Sequence, residues 1–311
     1  AIFFRVAWKQ ALEMGLSRAD LMKVVKSSAV FSIVPSLPII ISYMILLPAL
    51  GKFFPWLRLS VIGYTATDWD KISAMILEFL LAVWGGMIVY FYTGARLRAF
   101  LTYAVLVIYP SIIANSALWN RGSVFYAWFF LLSLYLLVKG ARVRAGLSAA
   151  AGAVIALSRM RVSTQNLTLG WPNLYEIVGK SMFVDLYNRV SLLVLAGLLL
   201  TGIYLYIKKK VKLTGALALQ LFVFLSILIP YLAPSMPAWA GYTADIGLLL
   251  YAMYRPGKFY LPMLHLIVSY SAYANVINGT SKLPMSLYAV ILLAVLTDVG
   301  RDAYREAMGQ S

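Results

Sequence analysis

Long apolar blocks alternate with short polar knots along this chain, and several windows of 18 or more residues carry no charge at all, as in 29–50 and 99–119. A helix of that length crosses roughly 30 Å of hydrocarbon. The pattern predicts spans at about 29–50, 72–93, 99–118, 122–138, 143–158, 190–207, 211–233, 241–254, 258–277 and 284–298. Three of them, 143–158, 241–254 and 284–298, are short and need shielding by neighbours or extension into flanking polar residues. Residues 1–28 carry Arg5, Lys9, Arg18, Lys23 and Lys26 among apolar positions at helical spacing, which predicts an interfacial amphipathic helix. The chain opens on Ala1–Trp8 (AIFFRVAW) without the basic-then-apolar order of a signal peptide, and this stretch reads as the tail of something longer.

Composition turns this pattern into a class. Of the 311 residues, 62% are hydrophobic and 12% charged, whereas soluble domains carry about 25% charged residues. The expected fold is all-α: a polytopic transmembrane helical bundle over 29–311, with about ten spans. A formal charge of +16 would point a soluble protein toward nucleic acid. Here the basic residues sit in short loops, so they serve topology and lipid headgroups, and nucleic acid is not an expected partner. With the N-terminus cytoplasmic, eighteen of the 27 Lys and Arg fall on inner segments and nine on outer ones. That bias places both termini inside, in what we read as the plasma membrane of a prokaryote.

The same topology gathers the longer polar connections on the outer side, at 53–71, 119–122, 159–189 and 233–240. Long loops on a rigid scaffold usually carry function. The segment 159–189 is too polar to span, and Asp185 and Arg189, spaced i,i+4, predict an interfacial helix within it. The triplets NLT (166–168) and NGT (278–280) match the N-glycosylation pattern on that side. Asp68 and Asp70 precede the second span; they read either as helix-capping acids or as a catalytic or metal-holding pair. Asp245 opens a later span at the outer surface. Glu78, two turns into its span, and His265, amid LPMLHLIVSY, are costly in hydrocarbon; they are expected either to pair inside the bundle or to serve a proton or substrate path. With no cysteine and one histidine, thiolate sites are excluded and a histidine cluster has no material. A divalent cation at the carboxylates is the one cofactor left open.

Three stretches carry a resemblance. They are LVIYPSIIANSALWNRGSVFYAWFFLLSLYLLVKGARVRAGLSAAAGAV (106–154), LTLGWPNLYEIVG (167–179) and the late spans over 208–273. In order and spacing, from about residue 72 onward, they resemble the GT-C superfamily of polytopic glycosyltransferases, including protein mannosyltransferase-like enzymes. That resemblance implies inverting transfer of a sugar from a polyprenyl-phosphate donor at the extracytoplasmic face. It implies an outer-loop carboxylate, Asp68 or Asp70, as general base, and Arg121, Arg159 or Arg161 on the donor phosphate. Trp119, Asn120, Asn173, Tyr242 and Asp245 complete the expected substrate-binding set.

The chain departs from that family in defined places. The family's Trp-Gly-Gln-x-Asp-Ser is replaced by Trp119-Asn120-Arg121-Gly122-Ser123, without the acid. Where Met-His-Glu-Arg-Tyr would stand, the chain reads Met236-Pro237-Ala238-Trp239-Ala240. A Lys-Pro-Gln segment and several spans expected after about residue 157 are missing. Residues 11–63 resemble instead a bacterial membrane-protein family of unknown function, which makes the chain read as composite, with a junction near 63–72. Two alternatives to the enzyme follow: a non-catalytic transporter-like or accessory membrane protein, with a polar path that includes Glu78 and His265, or a bundle with no evolved activity.

Overall fold

A segment in hydrocarbon has to satisfy its backbone hydrogen bonds internally, and the unbroken apolar blocks that the structure describes fold as helices. The computed structural model describes residues 68–115, 123–159, 166–178, 183–279, 281 and 283–309. The expected span 29–50, the expected helix within 1–28 and the knot Trp119–Arg121 lie outside the described residues. In chain order the helices are α1 (Asp68–Thr93), α2 (Arg96–Ile108), α3 (Pro110–Ile113), α4 (Ser123–Val138), α5 (Arg142–Arg159) and α6 (Tyr175–Val178). They continue with α7 (Val184–Lys208), α8 (Gly215–Leu232), α9 (Tyr242–Tyr254), α10 (Tyr260–Asn278) and α11 (Met285–Ala307). Among the described residues one strand pair joins β1 (Thr168–Leu169) to β2 (Met236–Pro237) in parallel. The fold is all-α. Among the described residues four stretches are long and apolar enough to cross a membrane: Ile76–Thr93, Arg96–Ile113, Val184–Lys208 and Gly215–Leu232.

Three boundaries differ from the expected ones for physical reasons. The expected span 99–118 breaks at Tyr109, whose ψ of 124° is extended, because the following Pro110 disfavours the helical conformation there. The polar start of the expected interfacial helix is the first part of α7, where Asp185 sits in the first turn and pairs with Arg189 at 2.9 Å. An acid suits that end of a helix. Helix α11 runs past residue 298 because its buried stripe continues through Leu292, Val295, Val299 and Asp302, the spacing of one helical face.

Helix α9 is the axis of the bundle. Every residue from Tyr242 to Met253 is buried, and α1, α2, α4, α8 and α10 pack around it. Its 13 residues rise only about 20 Å, so it lies within protein rather than lipid. Helix α7 is the opposite case, with 6% of its span buried.

The helices alternate in direction, which gives the bundle two distinct ends. Tyr92 Oη donates to Gly215 O at 2.7 Å, placing the end of α1 beside the start of α8. The start of α1, with Asp68 and Asp70, therefore points to the opposite end, where 166–178 and 233–241 meet.

Candidate functional site

The segment 166–178 is half-buried, with Leu167, Trp171, Pro172, Asn173 and Tyr175 turned out of solvent, unlike an ordinary surface connection. Its anchor is Asn173, whose Nδ2 donates to Leu167 O at 3.3 Å and to Ala233 O at 3.2 Å, while Oδ1 accepts from Tyr175 N at 3.2 Å. Helix α8 ends at Leu232, and carbonyls at a helix end lack partners within the helix. The segment supplies them: Leu174 N donates to Tyr231 O at 3.0 Å and Tyr175 Oη to Leu232 O at 2.8 Å. On the other side Ser235, held at a left-handed φ of 54°, donates its N–H to Leu167 O at 2.7 Å. Thr168 then registers with Met236 and Leu169 with Pro237. The segment is a plug stitched across the end of the bundle.

The plug carries Trp171 inward. Its indole rests on the backbone of Gly241: a Cβ there would stand 2.0 Å from Trp171 Cη2, so only glycine fits beneath the ring. The Trp171 and His265 ring centroids are 5.8 Å apart. Gly170, at φ 98°, makes the turn that precedes this descent, and a Cβ on it would strike Val276.

Below Trp171 lies a fully buried acid–histidine pair. Asp245, in the first turn of α9, and His265, on α10, are both 0% exposed, with Oδ1 and Nδ1 2.7 Å apart. Ser269 Oγ, one turn further along α10, lies 3.4 Å from the same nitrogen. A carboxylate on Nδ1 selects the neutral tautomer with the hydrogen on that nitrogen and leaves Nε2 as an acceptor.

A second pair sits one helical turn away. Tyr242 Oη donates to Glu78 Oε1 at 3.5 Å, a long bond. Tyr242 and Asp245 are spaced i,i+3 and share a face of α9. Tyr273, on α10, lies within electrostatic reach of Asp245, Tyr126 and Glu78, and Tyr109 within reach of Asp245. Glu78 and His265 thus belong to one network, through Tyr242, Asp245 and Tyr273.

This network is incompletely satisfied. Asp245 Oδ2, His265 Nε2 and Trp171 Nε1 have no hydrogen-bond partner among the described residues, nor do Ser111 Oγ, Ser123 Oγ or either amide atom of Asn115. Each unpaired buried polar group costs about 1–3 kcal/mol. Stability alone does not explain such an arrangement, and an ionisable group at this depth marks a functional site by default.

The expected site residues fall into three groups. Asn173, Tyr242 and Asp245 converge beneath or within the plug, each on an internal partner, and Asp245 is wholly buried rather than at the surface. Asp68 and Asp70 open α1 and Arg159 closes α5, but the description covers only their backbones. Trp119, Asn120, Arg121 and Arg161 lie outside the described residues. Among the described residues no group of three or more His, Asp or Glu side chains is placed to hold a metal ion. Trp171 was missed in the sequence; its only signal is a large aromatic beside a Gly and a Pro in LTLGWPNLY.

At the opposite end one cluster of charges is paired throughout. Lys258 Nζ lies 2.8 Å from both Asp298 and Asp302, and Tyr251 Oη donates to Asp302 at 2.6 Å. Tyr260 Oη also donates to Asp298, and Arg255 pairs with Glu306 at 3.4 Å. Partial burial opposes the Lys258 charge, but the hydrogen bonds to the two acids outweigh it and hold its pKa well above the ordinary lysine value. This cluster ties α9, α10 and α11 together.

Against known proteins, residues 1–76 match the model of a domain family of unknown function, DUF5058. This match overlaps the 11–63 stretch set apart in the sequence and ends within the first turns of α1. No curated protein and no solved structure matches the chain.

Proposed function

We propose that the chain is a membrane glycosyltransferase of the GT-C type. It would transfer a sugar from a polyprenyl-phosphate donor at the extracytoplasmic face of a prokaryotic plasma membrane, through about ten spans with both ends cytoplasmic. One observation carries this reading. Two of the stretches that resemble the family, 167–179 and 208–273, are stitched together through Thr168–Met236 and Leu174–Tyr231. They meet at the end of the bundle where Asp68 and Asp70 begin α1. In this reading an Asp68 or Asp70 carboxylate deprotonates the acceptor hydroxyl, whose oxygen attacks the anomeric carbon as the phosphate leaves. Arg121, Arg159 and Arg161 hold that phosphate, and Trp119 and Asn120 line the acceptor side.

The test is sugar transfer by the full chain in lipid vesicles, with polyprenyl-phosphate-linked mannose and an alkyl glycoside acceptor. Asp68→Asn or Asp70→Asn, whichever removes the base, is expected to lower kcat about 10²–10⁴-fold. Wild-type vesicles with no transfer above background, or two variants as active as wild type, would sink the reading. A non-catalytic, transporter-like role is the second reading. It is favoured by Glu78 and His265 sharing one network.

A further inference from the structure

We propose that His265 and Asp245 form a proton-exchange site inside the bundle, closed by Trp171 and opened when the 166–178 segment lifts from 233–241. The inference does not rest on the glycosyltransferase reading. It stands on two geometric facts: a buried pair of which two atoms, His265 Nε2 and Asp245 Oδ2, have no partner among the described residues, and the Trp171 ring of the 166–178 segment 5.8 Å from the His265 ring. A proton arriving from water bonds to the Nε2 lone pair. The imidazolium so formed keeps its Nδ1–H on Asp245, whose carboxylate balances the charge, and loss of the Nε2 proton reverses the step. No other reactant is needed.

The groups around the pair suit this role. Facing Asp245 are Tyr109 from the end of α2, Tyr242 from its own helix, and Ser269 and Tyr273 from α10; Glu78 of α1 and Tyr126 of α4 join through Tyr273. No Lys or Arg pairs with Asp245 among the described residues, so the imidazolium formed on proton uptake is the counter-charge that this carboxylate receives. The cover is tied to 231–236 by main-chain hydrogen bonds of Trp171, Leu174 and Ser235 and by the side chains of Asn173, Tyr175 and Ser235, and it ends in the exposed residues Ile177 and Val178. A connecting segment with exposed ends opens at lower free energy than a packed helix core.

The sequence offers two clean probes, because the chain holds one histidine and no cysteine. With ¹⁵N-labelled histidine in the full chain in lipid nanodiscs, a single imidazole reports the exchange of its N–H protons with water. Thr168→Cys with Met236→Cys places two thiols at registered positions. Neighbouring strands lie about 4.8 Å apart, within the range of roughly 4.4–6.8 Å that a disulfide bridges.

Oxidising that pair is expected to slow His265 exchange about tenfold or more relative to the same variant reduced, and Trp171→Ala to speed it by a similar factor. Equal rates in the oxidised and reduced forms would overturn the proposal, as would an imidazole that fails to exchange in every form. The reduced form controls for misfolding of the double variant, so the comparison stands even if Trp171→Ala does not fold.

Discussion

Helix α9 carries two polar clusters, separated by about 9 Å along its axis, and they are built on opposite terms. Around Tyr251 every charge has its partner and several remain partly exposed: Lys258 keeps 22% of its side-chain surface and Asp298 25%. Asp245 and His265 are wholly buried, no Lys or Arg pairs with Asp245 among the described residues, and three atoms, Asp245 Oδ2, His265 Nε2 and Trp171 Nε1, are left without partners there. The first cluster follows the rule that buried charges are paired and hydrogen-bonded. The second breaks it beneath Trp171, whose ring lies 5.8 Å from that of His265. The difference separates a clamp from a site: one holds α9 to its neighbours, and the other is kept at a cost to stability.

The sharpest way to break this comparison is to remove the buried pair by halves. Asp245→Leu strands His265 against apolar walls and is expected to cost about 3–5 kcal/mol, whereas Asp245→Leu with His265→Leu returns close to wild type or above it. Thermal unfolding in detergent micelles, followed by helical circular dichroism, reads both. A double variant as unstable as the single one would make the pair structural and erase the contrast. Within the clamp, Tyr251→Phe removes the 2.6 Å bond to Asp302. Hydrogen bonds to charged groups are worth about 1.5–3 kcal/mol, and the loss should appear in the same melts. At the plug, Gly241→Ala drives a methyl into Trp171, with an expected overpacking cost of about 1–3 kcal/mol. Limited proteolysis should then cut within 166–178 faster than in wild type. Unchanged cleavage would mean that Trp171 does not hold the plug down.

The clamp also makes a pH prediction. Lys258 is raised above its unfolded value, so its stabilising effect is complete below the unfolded lysine pKa of about 10.4 and disappears only as pH climbs through the higher folded value. The difference in melting temperature between wild type and Lys258→Met should therefore hold constant from pH 6 to about 9 and narrow only in stronger alkali. Narrowing near neutrality would assign the clamp's pH response to another group.

The fold was largely legible because the sequence signal for a helix in hydrocarbon is coarse and strong. Each of the nine long helices among the described residues overlaps an expected span. The misplaced boundaries had local causes, Pro110 after Tyr109 and the buried stripe that carries α11 past Asp298. The site was legible only as isolated residues. Glu78 and His265 stood out because charge is rare in apolar runs, and Asp245 because it opens one. Their union depends on α9 being buried on every side, which a helix too short to span signals only indirectly. Asn173 resembled a substrate group, yet its amide holds three backbone atoms in place. The depth of Trp171 is set by the absent side chain of Gly241, on another segment about 70 positions along the chain, a contact of tertiary structure that local pattern does not encode.

The smallest expected effect tests the outlying helix rather than the core. Asp185 and Arg189 pair at 2.9 Å on α7 with side chains 64% and 77% exposed, a geometry in which solvent screening leaves about 0.3–0.5 kcal/mol. Arg189→Ala should thus shift the melting temperature barely beyond error, far less than any change on α9. A loss above about 1 kcal/mol would exceed what an exposed i,i+4 pair supplies. It would mean that the start of α7 is held by more than the buried stripe of Asn188, Ser191 and Leu195. The contrast between an axial helix sealed on all sides and a peripheral one left open would then need redrawing.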